Sequence, residues 1–271
     1  MNKKIFPAKI LMFGEYLVLN EGAAISIPYP DYNCHWEKGE LENSELYDFM
    51  AYLKISGMES SLDLDKMEKD LEDGWNLLST IPRGSGLGSS GAVVAAVYDR
   101  YAHNKVERIE DLQAVFSDME HFMHGKSSGF DPLTSFLGKP ILMKNKQGVV
   151  IKTELSFLSQ WNMELINSGK ERQASDLIDR YIQSLESQEE FTRRIQVLTK
   201  VNNKIIDALI RNELVVARDL IRSFSQNQLE IFNDWIPGSI RRMWEEDLHS
   251  DDRIMKLLGA GGGGYFLRIR F

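Results

Sequence analysis

Cysteine is almost absent from this sequence, since Cys34 is the only one in 271 residues. A single cysteine cannot form an internal disulfide bond, and it cannot build a zinc site made of cysteines alone. This excludes the small secreted proteins that depend on disulfide bonds, and it favours a reducing, cytoplasmic setting.

Positive charge is also scarce. The 32 Lys and Arg residues are outnumbered by 40 Asp and Glu, which gives a net charge of −8, and no basic block stands out. A surface for double-stranded nucleic acid needs a basic face, so we expect no nucleic acid partner. A bound phosphate remains compatible with this charge, because backbone N–H groups and one or two lysines can hold it.

Long apolar stretches are missing as well. No run approaches the roughly 20 apolar residues of a membrane-spanning helix. The first apolar stretch is interrupted by Pro7 and Lys9 and is followed by Glu15, which is not typical of a signal peptide. We therefore expect a soluble, cytoplasmic protein with no membrane partner.

The chain changes character near residue 155. Its length suits two domains at roughly 100–150 residues each, and we predict domains at 1–155 and 156–271. Apolar stretches predict strands at 10–13, 23–27, 75–81 and 162–166, an edge strand at 34–41, a hairpin at 140–151 and a last strand up to 269. Apolar spacing of three and four predicts helices at 46–53, 62–71, 92–98, 109–123, 171–185, 191–210 and 213–224.

A glycine-rich loop, PRGSGLGSSG, covers residues 82–91 between a predicted strand and a predicted helix. Glycine permits tight turns of the backbone, and Ser89 and Ser90 place hydroxyls at the start of the helix. Free N–H groups and the helix dipole there form a site for an anion such as phosphate. A tight turn with serine as the helix cap is the plainer alternative.

The same loop contains the spacing of the dinucleotide fingerprint, through Gly86, Gly88 and Gly91. That motif alone is weak, and Pro82 and the distance from the N-terminus argue against an oxidoreductase. The loop of P-loop NTPases is not matched either, because Glu120 stands where a glycine would precede the Gly-Lys-Ser at 125–127.

Two carboxylates are candidates for phosphoryl-transfer chemistry. Glu120 lies beside the apolar stripe of its helix, and Asp131 is expected in a turn-rich loop before Pro132. Such residues can hold Mg²⁺ and orient a hydroxyl group, although exposed helix and turn positions are their commoner use. With His121 and His124 they also suggest a metal hydrolase, but neither order of the zinc motif is present, and a histidine bonded to helix carbonyls is favoured.

Two further features point towards a site. Residues 259–264 read GAGGGG, and fixing so many glycines is costly in entropy. A hairpin or bulge needs fewer, so we expect this backbone to lie against a ligand or against the first glycine loop. Lys9 in the first predicted strand is either a charge that protects a sheet edge or a cation that points into a site.

Three motifs in order resemble those of the GHMP kinases, the family of galactokinase, homoserine kinase, mevalonate kinase and phosphomevalonate kinase. They are FPAKILMFGEY at 6–16, PRGSGLGSS at 82–90 and KLLGAGGGG at 256–264. The resemblance implies an α+β fold, with an N-terminal α/β domain of the ribosomal S5 domain 2-like type and a C-terminal ferredoxin-like domain. It also implies an ATP-dependent kinase with a site between the two domains.

The resemblance implies a role for individual residues too. Ser90 and Glu120 would bind Mg²⁺, Asp131 would act on the substrate hydroxyl, and Lys9 would pair with Asp131 and stabilise charge. ATP binding falls to Gly84, Ser85, Gly86, Leu87, Gly88, Ser89 and Ser90. Substrate binding falls to Glu15, Gly261 and Gly262.

The motif HGKSSGFD at 124–131 and the segment NSGKER at 167–172 resemble the mevalonate kinase branch, so a small molecule with a hydroxyl group, mevalonate, is the expected substrate. Phosphomevalonate is the second candidate, and an inactive nucleotide-binding homologue is a further alternative. Ala8, Leu258 and a shortened region at 31–75 depart from the family pattern. The apolar helices of the second half suit either a homodimer face or a cover for the sheet, and the sequence leaves both open.

Overall fold

The structure, a computed structural model, describes residues 3–39, 44–125, 127–170 and 174–271. The strands are β1 (Phe6–Phe13), β2 (Ala24–Lys38), β3 (Trp75–Ser79), β4 (Ile141–Lys144), β5 (Gln147–Val150), β6 (Asn162–Asn167), β7 (Arg253–Leu257) and β8 (Tyr265–Arg270). The helices are α1 (Ser44–Ile55), α2 (Leu64–Glu72), α3 (Ser89–Tyr101), α4 (Ile109–His124), α5 (Phe130–Leu137), α6 (Phe157–Gln160), α7 (Ala174–Ser187), α8 (Glu189–Ile210), α9 (Leu214–Ile231) and α10 (Gly238–Leu248).

The first sheet is antiparallel and has the order β1-β2-β4-β5, with β3 paired to the far end of β2. The predicted edge strand at 34–41 is the end of β2, where Cys34 to Lys38 pair with β3, and its last residues lie outside the described part of the chain. The predicted hairpin is β4 and β5. Its turn lies at Asn145 and Lys146, which both have positive φ as a two-residue hairpin turn requires.

The second sheet has the order β6-β8-β7 and is also antiparallel. Its central strand, β8, directly follows the glycine segment at 259–264. Trp244 of α10 and Phe266 of β8 are fully buried against one another, with ring centroids 6.3 Å apart. The mixture of sheets and helices confirms the predicted α+β class.

One continuous core joins the two halves. It contains buried residues of β1 together with residues of α8, α9, α10, β7 and β8. Phe13 and Phe224, for example, pack edge to face with ring centroids 5.6 Å apart. The described strands of the first sheet end before residue 155 and those of the second begin after it, while the division into domains at 1–155 and 156–271 stays a prediction.

Asp131 lies in the first turn of helix α5 and not in a loop, so that part of the prediction is wrong. Proline is tolerated in the first turn of a helix, where its missing N–H has no helical partner, and Pro132 occupies such a position. Gly129 allows the entry into α5 because its φ is 67°, and a Cβ there would lie 2.2 Å from the Gln113 carbonyl oxygen.

In the second half, α7, α8 and α9 lie where helices are predicted, whereas α6, α10 and β7 were not predicted. The start of the helix expected at 171–185 lies outside the described residues, and α9 runs further than expected, to Ile231. No helix in the described parts of the chain is long and apolar enough to cross a membrane.

Candidate active site

The first glycine loop connects β3 to α3, as the sequence predicts. Gly84, Gly86 and Gly88 have φ values of 65°, 85° and 74°, a region that side chains other than glycine rarely adopt. Helix α3 begins immediately afterwards, at Ser89. The loop therefore presents the free N–H groups of a helix N-terminus at the edge of a cavity of about 1380 Å³.

Lys9 of β1 lies in contact with this loop. Its backbone N–H donates to the Leu87 carbonyl at 2.9 Å, and its side chain is only 8% exposed. Lys9 Nζ lies 2.9 Å from Asp131 Oδ2, and both residues line the cavity. Of the two interpretations of Lys9, the structure therefore supports the cation that points into a site.

Two glycines of the loop make room for this ion pair. A Cβ at Gly88 would lie 2.7 Å from Lys9 Cγ, and a Cβ at Gly91 would lie 2.8 Å from the backbone carbon of Asp131. Gly91 thus permits the close approach of α3 to α5. Gly91, the third glycine of the apparent dinucleotide fingerprint, therefore lies where two helices pack together.

Replacing Gly88 by alanine is expected to destabilise the protein in two ways. A side chain at positive φ costs roughly 1–2 kcal/mol, and displacement of Lys9 adds roughly 1–3 kcal/mol more. Gly57→Ala is the matched control, since Gly57 has a φ of 73° with open space around its Cβ position. Urea unfolding measures both, and equal losses in the two variants would contradict the contact with Lys9.

Glu120 of α4 is buried, with its carboxylate between two hydroxyl groups. Ser90 Oγ donates to Oε1 at 3.2 Å, and Ser127 Oγ donates to Oε2. Burial, helped by the negative charge of Asp131, raises the pKa of Glu120 to about 7. Ser127 lies in the HGKSSGFD motif, but the sequence assigned it no role, because its contact with Glu120 arises only from the packing of the loop against α4.

The histidines do not form a metal site in the described structure. His121 Nδ1 lies 2.7 Å from the Ser117 carbonyl oxygen of the same helix, as favoured above, and the side chain of His124 lies outside the description, as does Lys126. Among the described side chains there is no group of three or more His, Cys, Asp or Glu that could hold a metal ion.

The oxygen atoms of Ser90 and Glu120 fit a different kind of metal site. Mg²⁺ is commonly held by one or two carboxylates together with substrate phosphates. A buried carboxylate with a hydroxyl beside it, next to a phosphate-type loop, provides such a donor set. A buried negative charge with a raised pKa would also be stabilised by a bound cation.

Glu15 pairs with Lys256 of β7. Both side chains are fully buried, and Lys256 Nζ donates to Glu15 Oε1. Burial raises the pKa of Glu15 and lowers the pKa of Lys256. Glu15 does not belong to the described residues that line the cavity. Its substrate-binding role stays a prediction.

The second glycine segment, residues 259–264, lies against the first loop. A Cβ at Gly264 would lie 3.2 Å from the Gly84 carbonyl oxygen, and Gly259 lines the cavity. Gly262 N–H donates to the Trp235 carbonyl at 2.7 Å. A Cβ at Gly261 would also come within 3.3 Å of that carbonyl oxygen. The substrate role of Gly261 and Gly262 stays a prediction.

Comparison with known proteins agrees with this geometry. Residues 46–139 match the family model described as the GHMP kinases N terminal domain. The L. major mevalonate kinase crystallised with R-mevalonate has the same fold, with a TM-score of 0.68 and 18% identity over 99% of this chain and 87% of that one. The chain therefore has the GHMP kinase fold, and residues 46–139 are similar to the N-terminal domain of that family.

Two further proteins, one mevalonate kinase and one phosphomevalonate kinase, are also similar to this chain. The mevalonate kinase of Thermococcus gammatolerans is 27% identical over 161 residues, and the match spans 49% of this chain and about half, 48%, of that protein. The phosphomevalonate kinase of Streptococcus pneumoniae has a TM-score of 0.67 and 14% identity over 100% of this chain and 92% of that one. At such identities, the structural likenesses concern the fold.

Proposed function

We propose that this chain is an ATP-dependent kinase that transfers the γ-phosphoryl group of Mg-ATP to the hydroxyl group of a small molecule. The observation that carries the proposal is the Lys9–Asp131 ion pair on the wall of the same cavity as the glycine loop. Phosphoryl transfer needs positioned reactants and compensated charge more than it needs covalent chemistry by the protein. The site supplies both.

The glycine loop would bind the ATP phosphates. Its N–H groups and the N-terminus of α3 attract negative charge. Leu87 is fully buried and contributes only backbone, while the other loop residues assigned to ATP all line the cavity. These are Gly84, Ser85, Gly86, Gly88, Ser89 and Ser90.

Ser90 and Glu120 would hold Mg²⁺. When bound, the ion supplies positive charge to the phosphate oxygens during transfer. The Ser127 hydroxyl holds the Glu120 carboxylate from the side opposite Ser90. The chain thereby fixes the orientation of this ligand, which supports a role in positioning the metal.

Asp131 lines the cavity, its side chain is 32% exposed, and its carboxylate would accept the proton of the substrate hydroxyl. The Lys9 ammonium group holds this carboxylate in place, and it offers positive charge close to the transferred group. Gly88 and Gly91 keep both partners in contact with the phosphate loop. This arrangement supports an active kinase over an inactive nucleotide-binding homologue.

Mevalonate is the acceptor that we propose. The similarity to the Thermococcus gammatolerans and L. major mevalonate kinases supports it. Phosphomevalonate is the second candidate, because the Streptococcus pneumoniae phosphomevalonate kinase has a nearly equal TM-score. The Leu258 side chain is apolar and buried, so it offers no polar contact to either acceptor.

The acceptor is tested by measuring ADP release from Mg-ATP with mevalonate, phosphomevalonate, homoserine and galactose. We expect saturable turnover with mevalonate. Turnover with a different acceptor alone would keep the kinase and overturn the substrate. Absence of turnover with every acceptor, together with measurable ATP binding, would favour the inactive homologue. The Lys9→Met variant, purified identically, controls for contaminating kinases.

A further inference from the structure

The residues directly after β1 reach across to the C-terminal half of the molecule. Glu15 Oε1 accepts a hydrogen bond from Lys256 Nζ of β7. Tyr16 Oη donates to the Ala260 carbonyl oxygen at 2.5 Å. Two consecutive residues therefore hold the chain at positions 256 and 260, on the two sides of the point where the segment at 259–264 begins.

Tyr16 adopts an unusual backbone conformation to do this. Its φ is 62°, which is uncommon for a bulky residue and persists only where the surroundings impose it. The ring is held by stacking on Tyr181 and Phe232, with centroids at 4.8 and 5.2 Å. The conformation directs the hydroxyl to Ala260 while Glu15 points to Lys256.

The ion pair between Glu15 and Lys256 is not explained by stability alone. Both side chains are 0% exposed, and the desolvation of two buried charges commonly offsets their attraction. Lys256 Nζ also bonds to the Leu257 carbonyl oxygen, which fixes the strand end before the glycines. Such a pair specifies how two surfaces align more than it strengthens them.

The segment that follows needs external support. Gly259, Gly261, Gly262 and Gly264 all have positive φ, and glycine loses more backbone entropy on ordering than any other residue. This segment nevertheless touches the phosphate loop, since a Cβ at Gly264 would lie 3.2 Å from the Gly84 carbonyl oxygen.

We propose that Glu15 and Tyr16 form a clamp, which with Lys256 holds the glycine segment at 259–264 against the phosphate loop. These three are positioning residues, because they act on the site through the backbone of the segment. The clamp connects the strand that carries Lys9 with the glycine segment, whose Gly259 lines the cavity. Its kinetic consequence rests on the proposed function, whereas its structural consequence does not.

The first test is Tyr16→Phe, which keeps the ring stacking and removes the hydroxyl. We expect backbone hydrogen exchange in peptides covering 259–264 to become about tenfold faster, with the melting temperature within about 3 °C of the wild type. Tyr98→Phe is the matched control, since the Tyr98 hydroxyl accepts from Val106 N–H far along the chain from the segment. Unchanged exchange in Tyr16→Phe would overturn the clamp.

The second test replaces both charges, in Glu15→Leu/Lys256→Met. Apolar replacement of a buried ion pair is commonly tolerated, so we expect a folded protein with faster exchange at 259–264. With the acceptor identified above, we expect kcat to fall about tenfold and KM for ATP to rise. Hydrogen exchange at the wild-type rate in this variant would contradict the clamp. If the double variant does not fold, the exchange rate in Tyr16→Phe tests the clamp instead.

The exchange measurement needs neither ATP nor an acceptor. If the wild-type protein has no kinase activity, the proposed function is overturned. The exchange measurement on Tyr16→Phe still supports or contradicts the clamp in that case. Conversely, an active kinase whose Tyr16→Phe variant shows wild-type exchange would keep the proposed function and remove the clamp.

Discussion

Asp131→Asn is expected to lower kcat by about 10²–10⁴-fold, the usual contribution of a positioned proton acceptor. Asparagine has the same shape but cannot take a proton from the substrate hydroxyl, and it loses the ion pair with Lys9 at 2.9 Å. The proposed site for the ATP phosphates is elsewhere, at the glycine loop. We therefore expect the affinity for ATP to change by less than about threefold. Steady-state kinetics and equilibrium ATP binding measure the two quantities.

The control for this variant is Asp118→Asn, which removes an exposed carboxylate from helix α4. It should retain wild-type kcat. Near-normal turnover in Asp131→Asn would remove Asp131 from the mechanism. A loss of ATP affinity as large as the loss of kcat would instead show that the substitution disturbs the loop, which Gly91 brings into contact with Asp131.

Glu120→Gln is expected to stabilise the metal-free protein at neutral and alkaline pH. The pKa of Glu120 is raised from 4.5 to about 7, chiefly by burial. Between these two values the folded state binds the proton more tightly than the unfolded state, so the free energy of unfolding falls as pH rises. At 1.36 kcal/mol per pKa unit, the full effect above pH 7 is roughly 3 kcal/mol. Glutamine mimics the neutral acid and avoids this cost.

Urea unfolding of the metal-free protein between about pH 4.5 and 8 tests this prediction. The variant should match the wild type near the acidic limit and exceed it progressively up to about pH 8. Glu110→Gln, at an exposed position of the same helix, should show a difference that does not change with pH over this range. A constant difference for Glu120→Gln would contradict the raised pKa. Such a cost at a site is typical of a residue kept for function.

Much of the local structure could be predicted because its signals are local. Apolar spacing along α4 and α8 follows the helical repeat, and the glycine loop with Ser89 lies between a strand and a helix as its composition requires. Asp131 was misplaced for a local reason as well. The turn-forming residues before Pro132 predict a loop, although proline fits the first turn of a helix.

The sequence by itself determined most of the strands and helices, although not α5, α6, α10 or β7. It also determined the presence of three motifs that bring glycine, serine, lysine and carboxylate chemistry into one chain, and their resemblance to the GHMP kinases implied the α+β class. Only the tertiary structure decided which of these groups meet. Lys9 and Asp131 are 122 residues apart and Glu15 and Lys256 are 241 apart, by position. Such pairs cannot be recognised from a periodic pattern in the sequence, because contact, burial and charge compensation arise only when the strands and helices pack. The same packing brings the Ser127 hydroxyl to the Glu120 carboxylate and places Gly91 where α3 approaches α5.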